Sequence, residues 1–176
     1  MAERVDIDVW QGEIAELEVD AVIVAASESL FMTAGAATGV KRRAGDEVER
    51  AAVEQGPIAP GTAVATYGGE LPAPYVIHAV AVGHDRIADP ATLEAAVRSA
   101  LGFAAPLQLR RVAIALLGIE HGVFTAADAA AVLVPAVIDS ARSTPVESVV
   151  LAASHASEVK ALSDALRAAR AGAPLS

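Results

Sequence analysis

Two glycine-bearing segments carry the residues best suited to chemistry: ASESLFMTAGAATG (26–39) and LLGIEHGVFT (116–125). Each follows an apolar run and feeds a stretch with helical character. A helix N-terminus offers free amides and the positive end of the helix dipole, which together favour an anion. Gly35 and Gly39 in the first segment, and Gly118 and Gly122 in the second, allow backbone to approach a ligand closely. Neither segment has the GxGxxG or Walker spacing, so a flexible strand-to-helix joint packed with small residues is the competing reading of the first. Glu120 lies in the middle of the second segment. A carboxylate there repels a phosphate unless it faces solvent or a cation. Its neighbour His121 is the imidazole best placed for a functional role, against the alternative of a surface loop residue. His84 with Asp85, and His155, form no metal-ligand spacing, and no metal or cofactor is expected. Ser27, Ser29 and Ser154 have no base arranged beside them in sequence, so no catalytic residue is assigned. Lys41, Arg42 and Arg43 read either as a solvated helix face or as the rim of an anionic ligand's site.

The elements that must position these loops follow from a hydrophobic period that switches repeatedly between two and 3.6. Strands are expected at Val5–Ile7–Val9, AVIVAA (21–26), TAVATY, YVIHAVAV, RRVAIALLG and SVVLAAS. Helices are expected over GVKRRAGDEVERAAVEQG, PATLEAAVRSALGFAA, TAADAAAVLVPAVIDSARS and HASEVKALSDALRAARA. Pro90 suits a first helical turn, Thr125 with Asp128 an N-terminal cap, and Pro135 predicts a kink about one turn earlier. About six strands alternating with helices predict an α/β sandwich with a buried, mostly parallel central sheet. Ligands of such sheets sit beyond the carboxyl ends of the strands, where both glycine-bearing loops fall. His78, inside an apolar strand, reads as a structural histidine with its hydrogen bonds satisfied, and Trp10 as a packing residue.

The bulk numbers narrow the function classes. With 176 residues, 54% of them hydrophobic, one domain with one sizeable core is expected over residues 1–172, with 173–176 as a loose tail. Twenty-two acidic against 13 basic residues give a net charge of −9, which argues against nucleic acid and anionic membrane as partners. The absence of cysteine removes disulfides and thiolate chemistry. No signal peptide or membrane span is recognisable, so a soluble cytoplasmic protein with a small-molecule ligand is expected, its oligomeric state left open.

Five segments carry a resemblance: QGEI (11–14), DAVIVAAS (20–27), MTAGAATGVKRRAG (32–45), GTAVATYGGELPAPYVIHAV (61–80) and VAIALLGIEHGVF (112–124). In order and spacing the chain resembles the macro domains from about residue 4 to 170. That resemblance implies a three-layer α/β/α fold with a mixed six-stranded sheet. It also implies binding of ADP-ribose; some members hydrolyse ADP-ribosyl links or ADP-ribose 1″-phosphate. The ligand-contacting positions it implies are Glu13, Ile14, Ser27, Thr33, Ala34, Gly35, Ala36, Gly118, Ile119, Glu120, His121, Gly122, Val123 and Ser154.

The chain departs from the family pattern at several of these. Glu13 stands for the aspartate that accepts from the adenine amino group. Val24, Ala25, Ala26 and Ser27 replace Asn-Ala-Ala-Asn, so Ser27 replaces the asparagine that holds the distal ribose and, in hydrolytic members, the attacking water. Met32, Thr33 and Ala34 replace glycines, adding β-carbons that cost wherever φ is positive. Ile119, Glu120 and His121 interrupt the glycine-rich phosphate loop, and Ser154 replaces an aromatic that stacks on adenine. The expected function is weak binding of ADP-ribose or a related nucleotide diphosphate without hydrolysis. The alternatives are a degenerate macro fold serving as a scaffold or binding another ligand, and an active ADP-ribosyl hydrolase or phosphatase.

Overall fold

The computed structural model describes residues 4–172, so the expected tail at 173–176 lies outside the described residues. In chain order the strands are β1 (Asp6–Gln11), β2 (Ala21–Ala25), β3 (Ala63–Tyr67), β4 (Tyr75–Ala79), β5 (Arg111–Ala115) and β6 (Ser148–Ala153). The helices are α1 (Ala36–Ala44), α2 (Asp46–Val53), α3 (Pro90–Leu101), α4 (Ala104–Leu107), α5 (Ala126–Ala141) and α6 (Ala156–Ala171). Short 3₁₀ turns occupy Ile14–Glu16 and Glu120–Gly122.

The six strands form one sheet in the order β1-β6-β5-β2-β4-β3. Every neighbouring pair is parallel except β3 with β4. Period-two alternation divides the sheet between two cores. Ile23, Ile77, Ile114 and Leu151 pack with Leu93, Val97, Leu133 and Val137 of α3 and α5 and Leu162 of α6. Val22, Val24, Val76, Ala113 and Ala152 face Val40 of α1 and Val48 of α2. The fold is therefore a three-layer α/β/α sandwich around a mixed sheet. Its inner strands read as continuous apolar runs because both faces are covered.

Local chemistry sets the element boundaries. Asp89 caps α3 by accepting from the Ala91 amide at 3.0 Å, with Pro90 in the first turn. Thr125 Oγ1 accepts from the Asp128 amide at 3.1 Å and caps α5, which continues on both sides of Pro135. The single helix expected across 39–56 is instead two. Gly45 takes φ +100°, outside the helical region, and the Ala44 carbonyl accepts from Glu70 rather than from the next helical turn. The first of the pair also begins earlier than expected, at Ala36, so its N-terminus lies at the glycine-bearing loop.

His78 occupies the middle of β4, fully buried and flanked in register by Val24 and Val64. Its Nε2 pairs with Thr66 Oγ1 at 2.9 Å, but Nδ1 has no partner in the protein. The expectation of a satisfied histidine thus holds for one nitrogen only. Burial pulls its pKa down to about 4, against the attraction of Glu49, so the ring is neutral at physiological pH.

Candidate functional site

Five strands run in the same direction, so their carboxyl ends meet along one edge of the sheet. Three adjacent chambers lie there, neighbours sharing wall residues. The first is lined by Ala25, Ala26, Ser27, Phe31, Thr33, Ala34, Val82, Gly83, His84, Arg86, Glu120 and His121. The middle one shares Ala25, Ala34, Glu120 and His121 with it and adds Gly35, Ala36, Ala115, Leu116, Ile119, Ser154, His155 and Glu158. The third shares Gly35, Ala36, Ser154 and His155 with the middle one and adds Gly12, Glu13, Ile14, Ala15, Thr38, Gly39, Val40 and Arg42. Their volumes, about 290, 340 and 320 Å³, are each at the small end for a ligand pocket. Only joined end to end do they suit an elongated ligand.

The N-terminus of α1 faces the junction of the second and third chambers through Gly35 and Ala36. Gly35 has φ +58°, and it alone in the run Met32–Gly35 takes a left-handed conformation. Thr33 and Ala34 do not, so the β-carbons expected to strain this loop sit without penalty, and the residue that needs to be glycine is glycine. The loop is fastened beneath. The Met32 amide donates to Glu49 Oε2 at 2.8 Å, and Glu49 Oε1 pairs with Lys41 Nζ at 2.8 Å. Burial opposes ionisation of Glu49. The Lys41 hydrogen bond, the Met32 amide and the charge of Lys41 outweigh it and hold the carboxyl below its ordinary range.

Ser27 sits at the end of β2 with its hydroxyl turned to its own loop, accepting from the Phe31 amide at 3.2 Å. Phe31 is left 46% exposed on the wall of the first chamber. At the far end, Glu13 is exposed and its Oε1 lies 3.7 Å from Arg42. Arg42 therefore belongs to the chamber wall, which favours the ligand-rim reading of the basic run for that residue. Gly12 is needed at the head of this chamber because a β-carbon there would collide with the Trp10 ring.

The second loop departs furthest from an open anion cradle. The Glu120 carboxylate turns inward, and both its oxygens accept from the Gly118 amide, at 3.1 and 3.0 Å. Glu120 thus stands half-buried between the first and middle chambers, with no cation paired to it among the described residues. Burial pushes its pKa up to about 7, while the Gly118 amide and its own amide oppose the rise. His121 takes φ +56°, a left-handed position usually given to glycine.

Of the positions singled out in the sequence, Glu13, Ile14, Ser27, Thr33, Ala34, Gly35, Ala36, Ile119, Glu120, His121 and Ser154 converge on the chamber walls. Gly118, Gly122 and Val123 do not line them. Gly118 packs against Phe124 and Leu93, and Val123 against the main core. Phe31, His84, Arg86, His155 and Glu158 line the cleft without having been singled out as ligand contacts. For His155 and Glu158 a signal existed, since the first turn after a parallel strand borders the carboxyl edge. For the turn at 82–86 there was none. Among the described residues no group of three or more His, Asp or Glu is arranged to hold a metal ion. No described helix is long and apolar enough to cross a membrane.

Compared with known proteins, residues 23–133 match the family profile described as "Macro domain". The chain belongs to the macro domain family. This macro domain is 35% identical over 133 residues to an uncharacterised protein of Mycobacterium tuberculosis, a match covering 76% of this chain but 37% of that protein. The chain thus spans just over a third of the length of that relative. It is 40% identical over 106 residues to an O-acetyl-ADP-ribose deacetylase of Enterobacter cloacae, covering 56% of this chain and 58% of that one. Among solved structures it superposes on a Trypanosoma brucei macrodomain in complex with ADP-ribose with a TM-score of 0.82 and 22% identity, covering 90% of this chain and 68% of the other. At that identity the likeness speaks for the fold.

Proposed function

We propose that this macro domain binds ADP-ribose or a related nucleotide diphosphate, weakly and without hydrolysing it. The observation that carries this reading is the row of three chambers, each sharing wall residues with the next, past the N-terminus of α1, with Glu13 at one end and Ser27 at the other. The adenine end lies in the Glu13 chamber, where the carboxylate accepts from an exocyclic amino group. The diphosphate crosses the middle chamber beside the amides that open α1. The distal ribose lies beyond Glu120, near Ser27. The Trypanosoma brucei relative bound to ADP-ribose and the Enterobacter cloacae deacetylase both support a ligand of this class.

Three features weaken binding. Ser154 offers no ring to the base. Ser27 spends its hydroxyl on the Phe31 amide. The Glu120 carboxylate occupies a loop amide beside the diphosphate path. An aromatic stack and a polar anchor are each worth about 1 to 3 kcal/mol, so the affinity falls short of the micromolar level, roughly −8 kcal/mol. Titration calorimetry with ADP-ribose tests this, and a nanomolar dissociation constant would overturn it.

The absence of hydrolysis follows from the end of β2. A water held for attack needs a polar group near the anomeric carbon, and Val24, Ala25 and Ala26 supply no side-chain donor or acceptor. Release of ADP-ribose from a mono-ADP-ribosylated protein well above the buffer rate, and lost in Ser27→Ala, would refute this part. The inward Glu120 carboxylate also favours a second reading, a macro fold that has given up the diphosphate for another ligand or for scaffolding. Titration separates the two.

A further inference from the structure

We propose that binding of a nucleotide diphosphate to this cleft takes up one proton at Glu120, whose neutral carboxyl keeps the Gly118 amide and donates its own hydrogen to the ligand's diphosphate. This rests on the nucleotide-binding reading above and adds how the site accommodates a carboxylate in the ligand's path.

The geometry leaves few alternatives. Glu120 lines both the first and the middle chamber, so a ligand running from one to the other passes its carboxyl group. That group is held in place by the buried Gly118 amide, on which both its oxygens converge. The backbone around it is pinned as well. Gly122 donates to the Ile119 carbonyl at 3.0 Å, Val123 to Glu120 at 3.2 Å and Phe124 to Gly118 at 3.0 Å. Gly118 itself is wedged against Phe124 and Leu93. Expelling the side chain would leave the Gly118 amide without its acceptor. Leaving it in place ionised would set two anions against each other in a site partly shielded from water. A neutral carboxyl resolves both conflicts. Its carbonyl oxygen still accepts from Gly118, and its hydroxyl donates to a phosphate oxygen. The proton comes from solvent, and no covalent bond changes.

The surrounding charges are compatible with this. His121 is on the same turn, His84 and Arg86 come from the 82–86 turn, and His155 and Glu158 come from the start of α6. Glu28, behind the first chamber, is engaged with the His84 amide at 2.6 Å. The ends of β2 and β5 contribute Ala25, Ala115 and Leu116, which carry no charge. No ion pair to Glu120 is formed among the described residues, and only the Gly118 amide and its own amide favour the ionised form. Its half-buried position already places its titration near neutrality, at about 7.

The test is calorimetric titration of the protein with ADP-ribose in buffers of different ionisation enthalpy, with adenosine as the ligand lacking a diphosphate. The expected result is uptake of close to one proton per ADP-ribose at about pH 8, approaching none at about pH 5.5, with affinity rising about tenfold per pH unit as the pH is lowered from about 9 toward 7. Adenosine should bind with no proton uptake at Glu120. Glu120→Gln keeps an acceptor for Gly118 without a charge, and should lose the uptake and bind ADP-ribose at pH 8 as tightly as the wild type does at pH 5.5. ADP-ribose binding without uptake at pH 8, uptake that persists in Glu120→Gln, or proton release at pH 5.5, which would mean the side chain is expelled to water, would each overturn the proposal while leaving nucleotide binding intact. Failure of both ligands to bind at every pH would overturn the nucleotide-binding reading and this proposal with it.

Discussion

The Glu49 carboxylate on α2 accepts the amide hydrogen of Met32 at 2.8 Å, seventeen residues earlier in the chain, and so fastens the first glycine-bearing loop to the helical layer beneath it. Its other oxygen holds Lys41 of α1 at 2.8 Å. Removing the acceptor leaves a largely buried amide unpaired, at a cost of about 1–3 kcal/mol. Glu49→Ala is therefore expected to lower stability by that amount in urea unfolding and to speed amide exchange across residues 27–35. Glu49→Gln, which keeps an acceptor, should lose much less. Equal losses in the two variants would mean that the charge, rather than the Met32 bond, matters.

His78 and Glu120 drive stability in opposite directions with pH. His78 has a folded pKa of about 4 against an ordinary 6.5, so between those values the unfolded state binds the proton and stability falls as pH falls. Glu120 has a folded pKa of about 7 against an ordinary 4.5, so the folded state binds the proton and stability falls as pH rises through that window. Each slope is at most about 1.4 kcal/mol per pH unit, less for Glu120 because water reaches it, and the two largely cancel between about pH 4.5 and 6.5. Denaturant titrations across this range should find His78→Gln losing stability toward higher pH and Glu120→Gln losing it toward lower pH. Parallel curves for the two variants would contradict the assignment.

Ser154 lines both the middle and the third chamber and is exposed. Ser154→Tyr should place a ring against the base and tighten ADP-ribose binding by about tenfold, or ~1.4 kcal/mol, with no change in affinity for ribose 5-phosphate. Calorimetry with the two ligands checks this, and an equal gain for both would show that the ring acts elsewhere.

His121 holds φ +56° with a β-carbon, a conformation that costs an ordinary residue about 1–2 kcal/mol. His121→Gly removes that cost and adds some chain entropy in the unfolded state. The variant should be more stable by about 0.5–1 kcal/mol in urea unfolding. A loss of stability would mean that the imidazole makes compensating contacts.

Much of this protein is written locally in its chain. Apolar runs at 21–25, 112–115 and 149–153 between helical periods dictate buried parallel strands, because only strands covered on both faces can be apolar throughout. The capping roles of Asp89 and Thr125 depend on a side chain and an amide two or three residues away. The convergence of Glu13, Ser27, Glu120 and Ser154 on one edge also follows, since parallel strands bring their carboxyl ends together. Tertiary structure alone decided where these side chains point. That Glu120 folds back onto Gly118 depends on how the turn closes against Phe124 and Leu93, which no periodicity encodes. That Glu49 reaches Met32 depends on the break at Gly45, which sets α2 apart from α1. That Phe31, His84 and Arg86 share a wall depends on two loops from non-adjacent parts of the chain meeting over β2 and β4. Strand and helix are set by short-range period and hydrogen bonding, whereas the polarity of the cleft is set by long-range contacts.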